Sequence, residues 1–157
     1  IAAAKAAAAP CIIGSMAYDV TLDGSTFRTM MGIDPERAAE FMEDRGAHIV
    51  ALNCGTRMDL QRALTAVQRY KAVTGLPVMV QPNAGQPRLE NMKVVYDETP
   101  QQMVQGLRPL LEAGANIIGA CCGSTPDHIR AFRKTMDAFL EEKGIQPEGA
   151  ARENQTL

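Results

Sequence analysis

Two stretches of this sequence are near copies of each other, and their spacing restricts the fold more than any other feature. "GAHIVALNCG" (46–55) and "GANIIGACCG" (114–123) align without a gap, pairing Gly46 with Gly114, Cys54 with Cys122 and Gly55 with Gly123, 68 residues apart. Each copy is an apolar run ending in cysteine and glycine. Two further apolar runs, "CIIGSM" (11–16) and "PVMVQ" (77–81), complete a set of four with "HIVALN" (48–53) and "NIIGA" (116–120). All four suit strands buried on both faces, as in a parallel sheet.

The segments between the runs read as helices. Leu60, Ala63, Leu64 and Val67 recur at i, i+3, i+4 spacing, as do Met103, Val104, Leu107, Leu110 and Leu111, and a last helix carries Ile129, Phe132, Met136, Phe139 and Leu140. Asp34-Pro35, Thr99-Pro100 and Thr125-Pro126 each offer an N-cap followed by proline in the first turn. Thr99 with Gln102 completes a capping box. Pro109 removes a helical hydrogen bond and predicts a kink.

Four strand-helix units with equivalent groups two units apart predict an α/β fold: a (β/α) barrel of TIM type, represented here by about four units, a half-barrel. An open doubly wound sheet is the alternative, although no G-x-G-x-x-G loop follows any strand. A half-barrel would expose two strand edges and the apolar interior, which favours association with a partner half. Residues 1–143 are read as this domain and 144–157, rich in Gly, Pro and polar residues, as a flexible tail or linker. The chain starts at Ile1 in an alanine run that resembles a helix end, so it is expected to be part of something longer.

Composition narrows the partners. A net charge of -2 gives no basic excess for nucleic acid or anionic lipid, and no apolar stretch is long enough to span a membrane. A cytoplasmic protein is expected, without a signal peptide. Four cysteines are too few for a disulfide framework, so their placement matters more.

Cys54 ends the second strand and Cys121 and Cys122 end the fourth, which puts three thiols on one rim of a parallel sheet. Three thiolates suit Zn²⁺ and leave a fourth position open for water or substrate. A chance cluster of buried thiols, or a redox pair between Cys54 and Cys121 or Cys122, fits the spacing equally well. Cys11, at the opposite rim, is expected in the core, His128 as a solvated side chain, and His48 away from the site. The nine methionines are read as core filling.

The sequences "LNCG", "PNAGQPRL" and "GACCGSTPDHI", in this order, resemble the homocysteine S-methyltransferase family, which includes the homocysteine-binding domain of cobalamin-dependent methionine synthase and the betaine-homocysteine methyltransferases. The resemblance runs from about Pro10 to Leu140 and covers the C-terminal half of the family's domain. It implies a TIM barrel in which Cys54, Cys121 and Cys122 hold zinc and the homocysteine sulfur joins them to attack a methyl group, giving methionine. It implies as partners homocysteine and a methyl donor, which the sequence does not choose among a folate, a methyl-corrinoid, betaine and a methylsulfonium compound, together with a missing N-terminal half or a second copy. No catalytic residue beyond the metal site is implied. Asn53 and Asn83 are candidates for the substrate-binding surface, with strand-end and turn roles as their alternatives. Ala51 and Ala120 stand where the family commonly has glycine, and no Asp-x-His-x-x-Gly cobalamin motif occurs. A fragment of this kind is expected to have little or no activity by itself; the alternatives are a non-catalytic zinc-binding module and a methyltransferase for another small thiol.

Overall fold

In a computed structural model describing residues 1–145, four parallel strands form one sheet in the order in which they occur along the chain: β1 (Ile13–Met16), β4 (Ile49–Asn53), β5 (Val78–Gln81) and β8 (Ala115–Ile118). The register pairs Ser15 with Ala51, Ala51 with Met79, and Met79 with Ile117. The order does not reverse among these four strands, so this sheet has no switch point of the doubly wound kind. Two antiparallel hairpins lie outside the sheet: β2 (Asp19–Val20) with β3 (Phe27–Arg28), and β6 (Arg88–Glu90) with β7 (Lys93–Val95).

The helices are α1 (Ala2–Ala6), α2 (Pro35–Asp44), α3 (Leu60–Val73), α4 (Pro100–Met103), α5 (Leu107–Glu112) and α6 (Pro126–Glu142). Their starts follow the capping chemistry. Asp34 accepts from the Arg37 N–H at 3.1 Å, Asp59 from the Arg62 N–H at 2.8 Å, and Thr99 and Gln102 cap each other reciprocally. The kink expected at Pro109 takes the form of a 3₁₀ turn, Val104–Gly106, that separates α4 from α5. Proline has no N–H for the Gln105 carbonyl, and the tighter turn absorbs the mismatch.

The core lies between the sheet and the helices. Val50, Leu52, Val78 and Val80 are buried against Ala39, Met42, Ala66, Val67, Tyr70, Leu107 and Leu110. Ala51 alternates with Val50 and Leu52, so it belongs to the other face with its register partners Ser15 and Met79. That face is only partly covered: Ile13 is 47% exposed, while Ile49, Met79 and Ile117 are half-buried. Near the rim, Tyr18 and Tyr70 share a buried 2.7 Å hydrogen bond between their hydroxyls.

The structure corrects three expectations. Cys11 is exposed instead of lying in the core, because the chain enters the sheet only at Ile13. His128 is buried, 5% exposed, and is not solvated; its partners are described below. Three of the methionines do not fill the core: Met30, Met31 and Met92 stand almost fully exposed on loops and hairpin turns. The expected tail, 144–157, lies outside the described residues apart from Gly144 and Ile145. No helix among the described residues is long and apolar enough to cross a membrane.

Glu36 and Arg69 tie α2 to α3 through two side-chain contacts, the Arg69 Nε–H donating to Glu36 Oε1 at 2.6 Å. This guanidinium holds the Glu36 carboxyl below the usual carboxylate range. A depressed folded-state pKa contributes stability at neutral pH that is lost as pH falls through it. Glu36→Gln is therefore expected to cost about 0.5–1 kcal/mol at pH 7, because the pair is partly solvated. The difference in urea midpoint between parent and variant should shrink on acidification to pH 3.

Candidate metal centre

The end of β4 and the segment after β8 both leave regular strand geometry at the rim. Cys54 has φ +54° and Gly55 φ +102°, so the chain turns sharply straight after the strand. The fourth strand ends at Ile118, two residues sooner than the apolar run suggests, yet its hydrogen bonding continues: Gly119 N–H to the Val80 carbonyl, Cys121 N–H to Pro82, and Ala84 N–H to Cys122. Gly123, at φ +77°, then turns the chain toward α6.

These turns bring the three predicted ligands together. The Cys122 Sγ lies 3.8 Å from the Cys54 Sγ and 3.8 Å from the Cys121 Sγ, and all three sulfurs lie within 4.8 Å of one another. A disulfide would need about 2.05 Å. A tetrahedral ion with bonds of about 2.3 Å to sulfur would set its ligands about 3.8 Å apart. The donor set and its spacing thus fit a divalent ion such as zinc, with three protein ligands and a fourth direction left open. This is the only such group of histidine, cysteine and acidic side chains among the described residues.

The local environment separates the thiols. Burial opposes ionisation of Cys54, but hydrogen bonds from the Gly55 backbone N–H and from Cys122, Asn83 and Cys121 outweigh it and lower the pKa. Burial raises Cys121, reinforced by its hydrogen bond with Cys122. Cys54 therefore ionises more readily than an ordinary thiol and Cys121 less readily.

The other sequence candidates fall as follows. Asn83 is 6% exposed, and its Oδ1 accepts from the Cys122 N–H at 3.2 Å while its side chain also bonds Cys54. A single amide therefore joins the two segments that carry the sulfurs. Asn53, half-buried, accepts from the Ser15 hydroxyl at 2.8 Å and pairs in register with Gln81. Ala120 lies beside Cys121 in a cleft of about 440 Å³ that also includes Ser124 and Ile129. Ala51 is fully buried, and its carbonyl accepts from the Tyr70 hydroxyl. His48 accepts the Ile12 N–H at the strand entrance, away from the cluster as expected.

Loops neighbouring the cluster are interlocked. Asp19 accepts from the Thr56 N–H at 2.7 Å, Arg57 donates to the Val20 and Thr21 carbonyls, and the Arg57 N–H donates to Gln86. His128 accepts the Thr125 N–H at Nδ1, so its proton sits on Nε2 and is donated to the Glu98 carbonyl at 2.9 Å. Two residues the sequence did not single out also belong here. Ser15 holds Asn53, and Tyr96, just after β7, borders a cleft of about 280 Å³ with Cys54 and Asn83 and packs its ring against Gly123. Neither carries a sequence signal: a serine in an apolar run and a tyrosine in an unrecognised hairpin are both unremarkable by residue type.

The profile of the family described as homocysteine S-methyltransferase matches residues 1–136, most of the chain and all three cysteines. The chain belongs to the homocysteine S-methyltransferase family. Among curated proteins it is similar to the methionine synthases of Mycobacterium leprae (strain TN) and Mycobacterium tuberculosis (strain ATCC 25618 / H37Rv), each 32% identical over 108 residues. That aligned stretch is 68% of this chain but only 9% of either relative. The chain therefore corresponds to a small part of these relatives.

Proposed function

We propose that residues 1–143 form the C-terminal half of a homocysteine-binding (β/α)₈ barrel of TIM type, that Cys54, Cys121 and Cys122 hold Zn²⁺, and that the completed protein methylates the thiol of homocysteine to give methionine. The observation that carries this reading is the convergence of three sulfurs from two strand ends, all within 4.8 Å of one another and two of the three pairs at the 3.8 Å of a tetrahedral site. Family membership and the similarity to methionine synthases support the same chemistry. The sequential parallel order of the four strands supports the half-barrel, since consecutive barrel strands are neighbours. The incompletely covered face carrying Ile13, Ile49 and Met79 is where a missing N-terminal half, or a second copy, would complete the interior.

Bound zinc would lower the pKa of an incoming thiol and supply a nucleophilic thiolate near neutral pH. This chain's residues prepare for it. Asn83 fixes both ligand-bearing segments, and the Gly55 N–H holds the Cys54 sulfur as an acceptor. We assign Asn53, paired in register with Gln81 at the end of β4, to the substrate-binding surface, and Asn83 to an indirect part through the cysteines it contacts. The methyl donor and the groups that bind the amino acid portion of homocysteine are assigned to the rest of the protein, so this chain alone is expected to transfer methyl groups weakly or not at all.

The test is X-ray absorption at the zinc edge of the zinc-loaded chain. Millimolar homocysteine should raise the coordination from three sulfurs to four. Unchanged coordination would identify a closed, non-catalytic site and overturn the proposal.

A further inference from the structure

We propose that Tyr96 is a positioning residue of the sulfur cluster: its ring packs against Gly123 and backs the turn that follows Cys121 and Cys122, so that the β6–β7 arm determines where the third thiolate sits. This rests on the zinc reading above for its consequence in metal binding, but not for the contact itself. A methyl group added at Gly123 would lie 2.2 Å from Tyr96 Cγ and 2.4 Å from its Cβ, so the ring occupies the space a side chain at 123 would fill. Gly123 serves two needs at once, the left-handed turn at φ +77° and the close approach of the ring.

Tyr96 is itself held from both sides. The Glu98 N–H donates to the Ala84 carbonyl at 3.2 Å, and the Glu98 carbonyl accepts from the buried His128. A side chain at Gly85 would meet Asp97 at 2.9 Å, so the 96–98 segment lies flush against the loop that carries Asn83. The base of the arm is thus fastened to that loop and to the start of α6, which are the two elements flanking Cys122. Its outer surface, with Leu89, Met92 and Val94, makes no comparable contact and stays exposed. A group outside the ligand set that fixes a metal ligand's orientation alters affinity by roughly 10- to 100-fold when removed.

The experiment compares the parent chain with Tyr96→Phe, Tyr96→Ala and Cys122→Ser. Amide hydrogen exchange of residues 119–123 is measured in the metal-free proteins, and Co²⁺ binding is followed through its sulfur charge-transfer absorption. Tyr96→Ala should speed exchange in this turn at least several-fold while the sheet amides keep their protection. Tyr96→Ala should also weaken Co²⁺ binding by about ten-fold and shift the charge-transfer band at unchanged stoichiometry, whereas Tyr96→Phe, which keeps the ring, should restore the parent's exchange, affinity and spectrum. Unaltered exchange in Tyr96→Ala, a Tyr96→Ala protein that matches the parent in affinity and spectrum, or a Tyr96→Phe protein as impaired as Tyr96→Ala, would overturn the positioning role. If the parent bound no Co²⁺, the zinc reading would fall, and the exchange data alone would decide for or against the contact.

Discussion

Replacing Cys122 by serine is expected to abolish stoichiometric zinc binding, lowering affinity by on the order of 100-fold or more, whereas Cys11→Ser should leave it unchanged. Cys122 is the sulfur that lies 3.8 Å from both other members of the cluster, so its loss leaves a two-sulfur site. A serine hydroxyl in its place is shorter, harder and protonated at neutral pH, a poor exchange for thiolate at a zinc ion that favours soft ligands. Cys11 is exposed, outside the cluster and at the other end of β1, which makes it a control for generic loss of a thiol. Metal content after dialysis and competition with a chromogenic chelator measure both. Full zinc occupancy in Cys122→Ser would show that the ion, if bound, is not held where these sulfurs converge.

Much of this site was legible because its parts repeat. The alignment of "GAHIVALNCG" with "GANIIGACCG" placed Cys54 and Cys122 at equivalent ends of parallel strands, and parallel strands bring equivalent ends to one rim. What the sequence could not show is how the chain bends once the strands stop. The left-handed φ at Cys54 is rare for a residue with a Cβ, and no residue-type rule announces it. The β6–β7 hairpin is hidden in the sequence for a related reason. Its turn holds Asn91 and Met92 at φ +48° and +63°, a pairing usually signalled by Asn-Gly, and methionine hides it. Without that hairpin nothing in the sequence connects Tyr96 to the turn at Gly123. A histidine in a first helical turn is ordinarily solvated, and only tertiary packing brings the Glu98 carbonyl to the Nε2 of His128. The exposed Met30, Met31 and Met92 show the same limit, since composition counts methionines without saying which face a loop turns outward.

A second large effect is expected at Gly55, where Gly55→Ala should destabilise the fold by about 2–5 kcal/mol. A Cβ there would lie 2.0 Å from the Tyr18 carbonyl oxygen and 2.7 Å from Met58 Cγ, and the backbone at φ +102° is one that alanine adopts only under strain. The first contact is with backbone, so no rotamer change relieves it. Either the end of β1 must move, disturbing Tyr18 and its buried hydrogen bond to Tyr70, or the 54–55 turn must open. Opening the turn would also carry off the N–H that holds the Cys54 sulfur, so zinc affinity should fall together with stability. Gly24→Ala separates the two contributions, because Gly24 also has positive φ, +72°, but a Cβ there meets nothing within 4 Å. It should cost only about 1–2 kcal/mol of backbone strain. Urea denaturation of both variants measures the difference, and zinc competition measures the second consequence. If Gly55→Ala were no less stable than Gly24→Ala, the turn beside Cys54 would be free to relax, and the close packing of Tyr18 against it could not be what fixes the first sulfur in place.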